Sequence, residues 1–199
     1  MKEELIRKAY ELAKERYAAI GVDTDKAIET LKKTPISLHC WQTDDVVGFE
    51  RNEALSGGIQ TTGNYPGRAR NIEEVRADLE EVGKLLAGTF RVNLHETYGD
   101  FGGKFVERDK VDASAFQSWM DWAKDKGFKL DFNSTSFSHP KSGYLSLANP
   151  DSEIRNFWIE HTKRCRRIAD AMGKAQGDPC IMNIWIHDGE KDQTVERFR

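Results

Sequence analysis

Residues 181–189 read IMNIWIHDG, a β-branched apolar run that ends in a polar turn. Such a run is typical of a β-strand, in which alternate side chains face opposite sides. One face of this strand is purely apolar and consists of Met182, Ile184 and Ile186. The other face consists of Asn183, Trp185 and His187. The stretch therefore predicts a buried strand that delivers polar and aromatic side chains to a site.

Three earlier runs, at 36–41, 92–95 and 130–133, repeat this division into an apolar and a polar face. Their polar or aromatic positions are Ser37, His39, Trp41, Asn93, His95, Asp131 and Asn133. Parallel strands that are covered by helices are normally apolar throughout, so a polar face that recurs on four strands needs a reason. We interpret it as the inner mouth of a (β/α) barrel, where sites lie at the carboxyl ends of the strands.

The predicted fold class is α/β, with about the first four strand and helix units of a (β/α)8 TIM barrel. Each strand follows a segment with helical spacing of apolar residues. Residues 1–199 would form the amino-terminal half of the barrel, with a helical extension at 1–34 and the four units at 35–199. Thr24 or Asp25 is predicted to cap the second helix, and Asn149-Pro150 to start the longest one.

Composition limits the partners that this chain is expected to have. The 199 residues carry a formal net charge of -3 and a sequence pI near 6.0, which disfavours nucleic acid and anionic membranes. No apolar run approaches the ~18 residues of a membrane span, and the N-terminus does not resemble a signal peptide. We therefore expect a cytoplasmic protein. The three cysteines lack close pairing and are expected to be free thiols.

The connection from 42 to 70 is longer than the ~12–15 residues of ordinary structureless loops. Its aromatic and apolar side chains favour an ordered, functional loop, and they are Phe49, Leu55, Ile59 and Tyr65. Its glycines match neither G-x-G-x-x-G nor G-x-x-x-x-G-K-[ST], so a phosphate cradle is not favoured.

Histidine and carboxylate residues near the strand ends could suggest a divalent metal site, because imidazole and carboxylate bind such ions. They are His39, His95, His139, His187, Asp131 and Asp188. No H-E-x-x-H or other tight spacing is present, so a metal site made only from them is not favoured. A serine nucleophile lacks its G-x-S-x-G turn, and Cys40 should point away from His39.

A set of motifs in a fixed order carries more information than any single residue. They are SLHCWQ at 37–42, DDV at 44–46, GGIQ at 57–60, TGNYPG at 62–67, NLH at 93–95, LDFN at 130–133, FSHP at 137–140 and NIWI at 183–186. Over nearly the whole chain they resemble the amino-terminal half of the L-rhamnose isomerase family. The resemblance implies a (β/α)8 aldose–ketose isomerase that converts L-rhamnose to L-rhamnulose. It also implies a metal-assisted hydrogen shift between C1 and C2, manganese or a similar ion, and a homotetramer.

The resemblance further implies that Trp41, His95 and Trp185 line the sugar pocket. The two indoles would form an apolar wall, and His95 would hydrogen-bond to a sugar oxygen. Alternatively, the tryptophans fill the barrel interior and His95 is a core histidine with satisfied hydrogen bonds. In the family the metal ligands and an assisting lysine come from later strands, so this chain is expected to hold no metal ligand and no catalytic residue. We therefore expect it to be inactive alone.

Two residues depart from the family pattern: His187 stands where proline is common, and Thr43 where glycine is common. Both substitutions bear on the geometry of the pocket rim. Other functions stay open. The chain could be a non-catalytic half-barrel that folds by pairing with itself or with a second half, with concentration-dependent stability. A metal-dependent hydrolase or nuclease on a related barrel is disfavoured by the charge and the motifs.

Overall fold

The computed structural model describes residues 2–39, 48–50, 69–86 and 88–189. The α-helices in this part of the chain are α1 Glu3–Ala18, α2 Thr24–Lys32, α3 Ile72–Leu85, α4 Gln117–Lys126 and α5 Ser152–Gln176. The strands are β1 Ile36–His39, β2 Phe90–His95, β3 Lys129–Thr135 and β4 Met182–Trp185. Two short 3-10 helices span Glu96–Tyr98 and Ala113–Phe116.

The four strands form one parallel sheet in the order β1-β2-β3-β4. A helix precedes each strand, which is the connection that parallel neighbours require. The predicted α/β class is confirmed as a parallel half-barrel sheet of four strands. In register, His39 pairs with Asn93, His95 with Asn133, and Thr135 with Trp185, so the polar positions meet at the carboxyl ends.

The outer face of the sheet is the apolar one, and it packs against the helices. Val92, Leu94, Leu130 and Phe132 are at most 2% exposed. They belong to one core with helix residues such as Leu79, Trp119, Ile168 and Met172. Burying each such side chain contributes roughly 1.5–3 kcal/mol, so this layer supplies most of the driving force for folding.

Two of the predicted helix starts were wrong by a few residues. Asp23, not Thr24 or Asp25, caps α2, because its carboxylate accepts from the backbone N–H of Lys26 at 3.0 Å. In the same way, Asp151 caps α5, which begins at Ser152 rather than at Asn149-Pro150. An acidic side chain one residue before the helix satisfies a free N–H and fixes the boundary.

Strand β4 is not the fully buried strand that the sequence predicts. Ile181, Ile184 and Ile186 are 61%, 54% and 46% exposed, although Met182 packs against the core. The reason is position: within the described sheet β4 is an edge strand that pairs only with β3, and α5 covers only part of its outer face.

Helices α1 and α2 contain no buried residue and contact each other through Tyr10, whose hydroxyl donates to Asp25 at 2.5 Å. The division of the chain at residue 34 stays a prediction. Most of the predicted functional loop at 42–70, including Thr43, lies outside the described residues. No helix in the described ranges is long and apolar enough to cross a membrane.

Candidate functional site

On β2 and β3 the inner face of the sheet is polar and nearly closed to solvent. Asn93, His95, Asp131 and Asn133 are at most 7% exposed, although their side chains are polar. They alternate along β2 and β3 with the apolar residues of the outer face. Buried polar groups are costly unless they are satisfied, so this face is organised for a purpose other than packing.

Three rings meet near the carboxyl ends of β1, β2 and β4. The ring of His39 lies 5.9 Å from that of His95 and 5.4 Å from that of Trp185, measured between centroids. His95 and Trp185 are 6.4 Å apart and nearly perpendicular. The structure thus brings two of the three predicted pocket residues together, and places the ring of His39 beside both. The third, Trp41, lies outside the described residues.

His39 is held as a neutral imidazole. Its Nε2 contacts the side-chain amide nitrogen of Asn133 and accepts a hydrogen bond there, so its proton lies on Nδ1. Burial is the main cause that lowers the pKa of His39 to about 3; the neighbouring His95 acts in the same direction, and the carboxylate of Glu96 opposes both. The ring therefore presents no positive charge to the site at neutral pH.

The two residues that follow His95 orient its ring. Its Nδ1 lies 3.0 Å from Oε2 of Glu96 and 3.2 Å from Oγ1 of Thr97. Thr97 is itself tightly enclosed, since a Cβ at Gly48 would come within 2.4 Å of its hydroxyl. Gly48 has a φ of 101°, so two constraints require glycine there.

Glu96 belongs to a buried ionic cluster behind His95. Its Oε1 lies 3.4 Å from Nη1 of Arg108, and both side chains are 1% exposed. Burial would raise the pKa of Glu96, but the neighbouring His95 and the Arg108 guanidinium outweigh burial and lower it, so the group is ionised. Among the described residues neither carboxylate oxygen of Glu96 has a hydrogen bond of good geometry, so its contacts act through charge.

Arg108 ties together the loops that follow three strands. It forms hydrogen bonds of 2.6–3.1 Å to the carboxylate of Glu50, in the connection after β1. It also donates to the carbonyl oxygens of Thr135, Phe137 and Ser138 at the end of β3, at 3.2, 2.7 and 3.3 Å. One fully buried guanidinium therefore fixes the frame on which the site residues stand.

A second buried arginine lies at the opposite, amino end of the strands. Arg91 forms a bidentate pair with Asp131, with distances of 2.9 and 2.8 Å, and also contacts Asp178. Asp131 accepts further bonds from the hydroxyl of Ser37 at 2.6 Å and the N–H of Ile181 at 2.8 Å. Burial raises the pKa of Asp131, but these donors outweigh burial and lower it.

Three other candidate residues do not join this group. Nε2 of His139 contacts Oε1 of Glu107 at 2.7 Å, and its Nδ1 accepts from the N–H of Lys141 at 3.0 Å. His187 contacts loop carbonyls through Nε2. Asp188 accepts hydrogen bonds from the Ser146–Ala148 turn. These residues order the loops around the site.

The described residues contain no group of three histidine, cysteine, aspartate or glutamate side chains that could hold a metal ion. They therefore do not fit the divalent ion that the family resemblance implies. Sγ of Cys165 lies 3.7 Å from Nε2 of His161, one turn earlier on the same face of α5. Burial raises the pKa of the Cys165 thiol, and it raises that of Cys180 to about 12, so neither is a nucleophile.

The sequence patterns did not predict three residues of the buried ionic cluster, which are Glu96, Arg108 and Glu50. The first could have been found, because a carboxylate directly follows His95. The pairing of Arg108 with Glu50 spans 58 residues and carries no local signal. Only the folded chain brings these two together.

Fold and site together define a parallel α/β half-barrel with a polar site at the carboxyl ends of its strands. The model of the family described as L-rhamnose isomerase (RhaA) matches residues 4–199. The chain belongs to the L-rhamnose isomerase family, a family of isomerases.

Individual relatives agree with the family match. The chain is similar to the L-rhamnose isomerase of Bacteroides thetaiotaomicron, with 65% identity over 199 residues that cover 100% of this chain and 48% of that protein. Similar proteins of the same name occur in Rhodopirellula baltica and Mannheimia succiniciproducens. Each is 52% identical over 194 residues, which cover 96% and 97% of this chain and 45% and 46% of the relative. The chain thus spans about half the length of these relatives.

Proposed function

We propose that this chain is the sugar-binding half of an aldose–ketose isomerase that converts L-rhamnose to L-rhamnulose. In this proposal it supplies the first four units of a (β/α)8 barrel. Trp41 and Trp185 form an apolar wall, and His95 hydrogen-bonds to a sugar oxygen. Family membership and the name shared by the relatives support the reaction.

One observation carries the proposal: the rings of His95 and Trp185 lie 6.4 Å apart at the carboxyl ends of parallel strands, beside a neutral His39. A sugar combines apolar C–H faces with hydroxyl groups, so an indole beside uncharged hydrogen-bonding groups is suited to bind it. The core-filling alternative is less favoured, because Trp185 is only partly buried.

The other half of the reaction requires groups that the described residues lack. A hydrogen shift between C1 and C2 needs a Lewis acid that polarises the carbonyl, which manganese or a similar ion would supply. We propose that its ligands, and the lysine that assists proton movement, come from strands that follow this half in the complete barrel. The chain alone is then expected to bind sugar weakly and to give no turnover.

The first experiment is to sequence the encoding DNA through and beyond the codon for Arg199. An open frame that adds strands with acidic and histidine residues is the expected result. The second is to combine the purified chain with the carboxyl-terminal half of the Bacteroides thetaiotaomicron relative and to assay ketose formation with manganese. Activity only in this combination, called here the completed enzyme, supports the proposal. Ketose formation by the chain alone, or none in the combination, contradicts it.

A second candidate function is a non-catalytic half-barrel that pairs with itself or with a separate half. The observation that favours it is the exposed apolar edge at β4, formed by Ile181, Ile184 and Ile186. Self-pairing predicts that the midpoint of thermal unfolding rises with protein concentration and that sedimentation shows a dimer. A concentration-independent monomer would exclude self-pairing.

We further propose a cytoplasmic, oligomeric enzyme, with a tetramer as in the family, and no nucleic-acid or membrane partner. The net charge of -3 is compatible with the last point. The division into an extension at 1–34 and four units at 35–199 belongs to the same proposal. Sedimentation of the completed enzyme tests the tetramer.

A further inference from the structure

We propose that Glu96 is a positioning residue for His95. Its buried carboxylate holds the imidazole proton on Nδ1, so that Nε2 carries the lone pair and accepts a hydrogen bond from a sugar hydroxyl. The identity of the hydroxyl donor rests on the proposed function. The state of the ring does not, because it follows from contacts within this chain.

Two described groups, from Glu96 and Thr97, face Nδ1 of His95. The carboxylate oxygen of Glu96 lies at 3.0 Å and the hydroxyl oxygen of Thr97 at 3.2 Å. A hydroxyl can donate or accept, so Thr97 is compatible with either ring tautomer. An ionised carboxylate can only accept. Glu96 is therefore the group that decides where the proton lies.

Solvent does not weaken the effect of the Glu96 charge on the ring. The carboxylate is 1% exposed, so solvent does not screen it. No described residue gives either oxygen a well-aligned hydrogen bond, so the negative charge is not dispersed over N–H donors. In such a low-dielectric setting, an anion 3.0 Å away stabilises an N–H on the facing nitrogen far more than it would in water.

Arg108 keeps this anion in place. It pairs with Oε1 of Glu96 on the side away from His95, and it is itself fixed by Glu50 and by the carbonyls after β3. Since Glu50 and the carbonyls after β3 hold the guanidinium, Glu96 cannot turn away without losing its pairing with a fixed cation. The direction of the carboxylate toward Nδ1 is thus set by the fold.

The chain contains a matched control with the opposite tautomer. In His139, Nδ1 accepts from the backbone N–H of Lys141, so the proton must lie on Nε2, which faces the carboxylate of Glu107. Both histidines lie beside a glutamate, but opposite ring nitrogens face it. A measurement that separates the two tautomers therefore has an internal reference.

The test is NMR of the 199-residue chain with ¹⁵N-labelled histidine, recorded with neutral imidazoles. Two-bond ¹H–¹⁵N correlations are expected to show Nδ1–H for His95 and Nε2–H for His139. In Glu96→Gln, the side-chain amide can donate as well as accept, so His95 is expected to lose its single tautomer while His139 is unchanged. In Glu107→Gln both tautomers should stay as in the wild type, because the backbone N–H of Lys141 still holds the His139 proton on Nε2. Nε2–H at His95 in the wild type, or no change in Glu96→Gln, would overturn the proposal.

The wild-type spectrum is decisive even if Glu96→Gln folds poorly. Thr97→Val supplies a second variant, because it removes the hydroxyl and keeps the shape of the side chain. His95 should keep its proton on Nδ1 in this variant. A switch to Nε2–H would mean that the hydroxyl, not Glu96, sets the tautomer, and the proposal would fail.

The role toward sugar is tested separately in the completed enzyme. Glu96→Gln should raise KM for L-rhamnose by roughly 3–10-fold, the effect of weakening one hydrogen bond, with a smaller change in kcat. Glu107→Gln should leave KM unchanged. An unchanged KM in Glu96→Gln would overturn the acceptor role. Absence of turnover in the unsubstituted combination would instead count against the proposed function, while the NMR result stands.

Discussion

Two arginines are buried in the described half-barrel, and they differ in how the carboxylate opposite each of them is hydrogen-bonded. Arg91, at the amino end of the strands, faces Asp131, and that carboxylate also accepts from Ser37 and Ile181. Arg108, at the carboxyl end, faces Glu96, which has no well-aligned hydrogen bond among the described residues. Asp131 thus accepts hydrogen bonds from several donors, whereas Glu96 acts on its neighbours through its charge.

We interpret the pair of Arg91 and Asp131 as structural, and the carboxylate of Glu96 as a group that supports the site. A buried ion pair whose hydrogen bonds are all made holds strands in place. A buried carboxylate that lacks such bonds is costly, and it persists where its charge acts on another group. Here that group is His95, at the end of the barrel where sites of this fold lie.

Substituting Arg108 should give the largest effect on stability. Arg108→Met leaves Glu96 and Glu50 buried without their cation. No described hydrogen-bond donor then stabilises the charge of Glu96. The free energy of unfolding is expected to fall by about 3–5 kcal/mol, measured by urea denaturation of the chain. A loss no greater than that of the next variant would break the comparison.

The same change at Arg91 should cost less. In Arg91→Met, Asp131 keeps its bonds from Ser37 and Ile181, and Asp178, whose side chain is 42% exposed, regains water. We expect a loss of about 1–3 kcal/mol in the same urea experiment. A loss larger than that of Arg108→Met would mean that the amino-end network contributes more to the free energy of unfolding than the carboxyl-end network does.

Lowering the pH should decrease the free energy of unfolding through His39, at the carboxyl end of β1. Its pKa is 6.5 unperturbed and about 3 in the fold. Between these values the unfolded chain binds a proton that the folded chain does not, so the free energy of unfolding falls as the pH falls through this window. The effect should be smaller than those above, because His39 is partly solvated.

The matched variant is His39→Gln, which cannot titrate. Urea midpoints measured at several pH values between about 6.5 and 3 should depend less steeply on pH in this variant than in the wild type. Burial also lowers the pKa of His161, so some pH dependence should remain. Equal slopes for both proteins would count against a neutral His39 in the site.

The smallest effect is expected from a third arginine, which serves as the control for the first two. Arg7 pairs with Glu3 at 2.7 Å on α1, but the side chains are 77% and 78% exposed. Exposed pairs of this kind contribute little, because water and salt screen them. Arg7→Met should leave the urea midpoint unchanged within error. A clear loss would show that α1 has contacts that matter for stability.

Part of this architecture is readable from the chain because it depends on local alternation. The apolar and polar faces of β2 and β3 follow directly from residue order, and so does the placement of His95 and Trp185 on the inner side. The exposure of Ile184 does not follow from its own strand, because it depends on which element lies beside it. The pattern also placed α5 correctly, but not its Asp151 cap, although that cap is a local contact with the N–H of Glu153.

The sequence by itself determined the parallel α/β class, the polar inner face and the family, since periodicity and ordered motifs are properties of neighbouring residues. Only the tertiary structure decided that Glu50, from the connection after β1, and Arg108 meet behind Glu96. It also decided that the ring of His39 lies beside those of His95 and Trp185. Those contacts join residues far apart in the chain. Their energies depend on burial, which exists only once the sheet and helices have assembled.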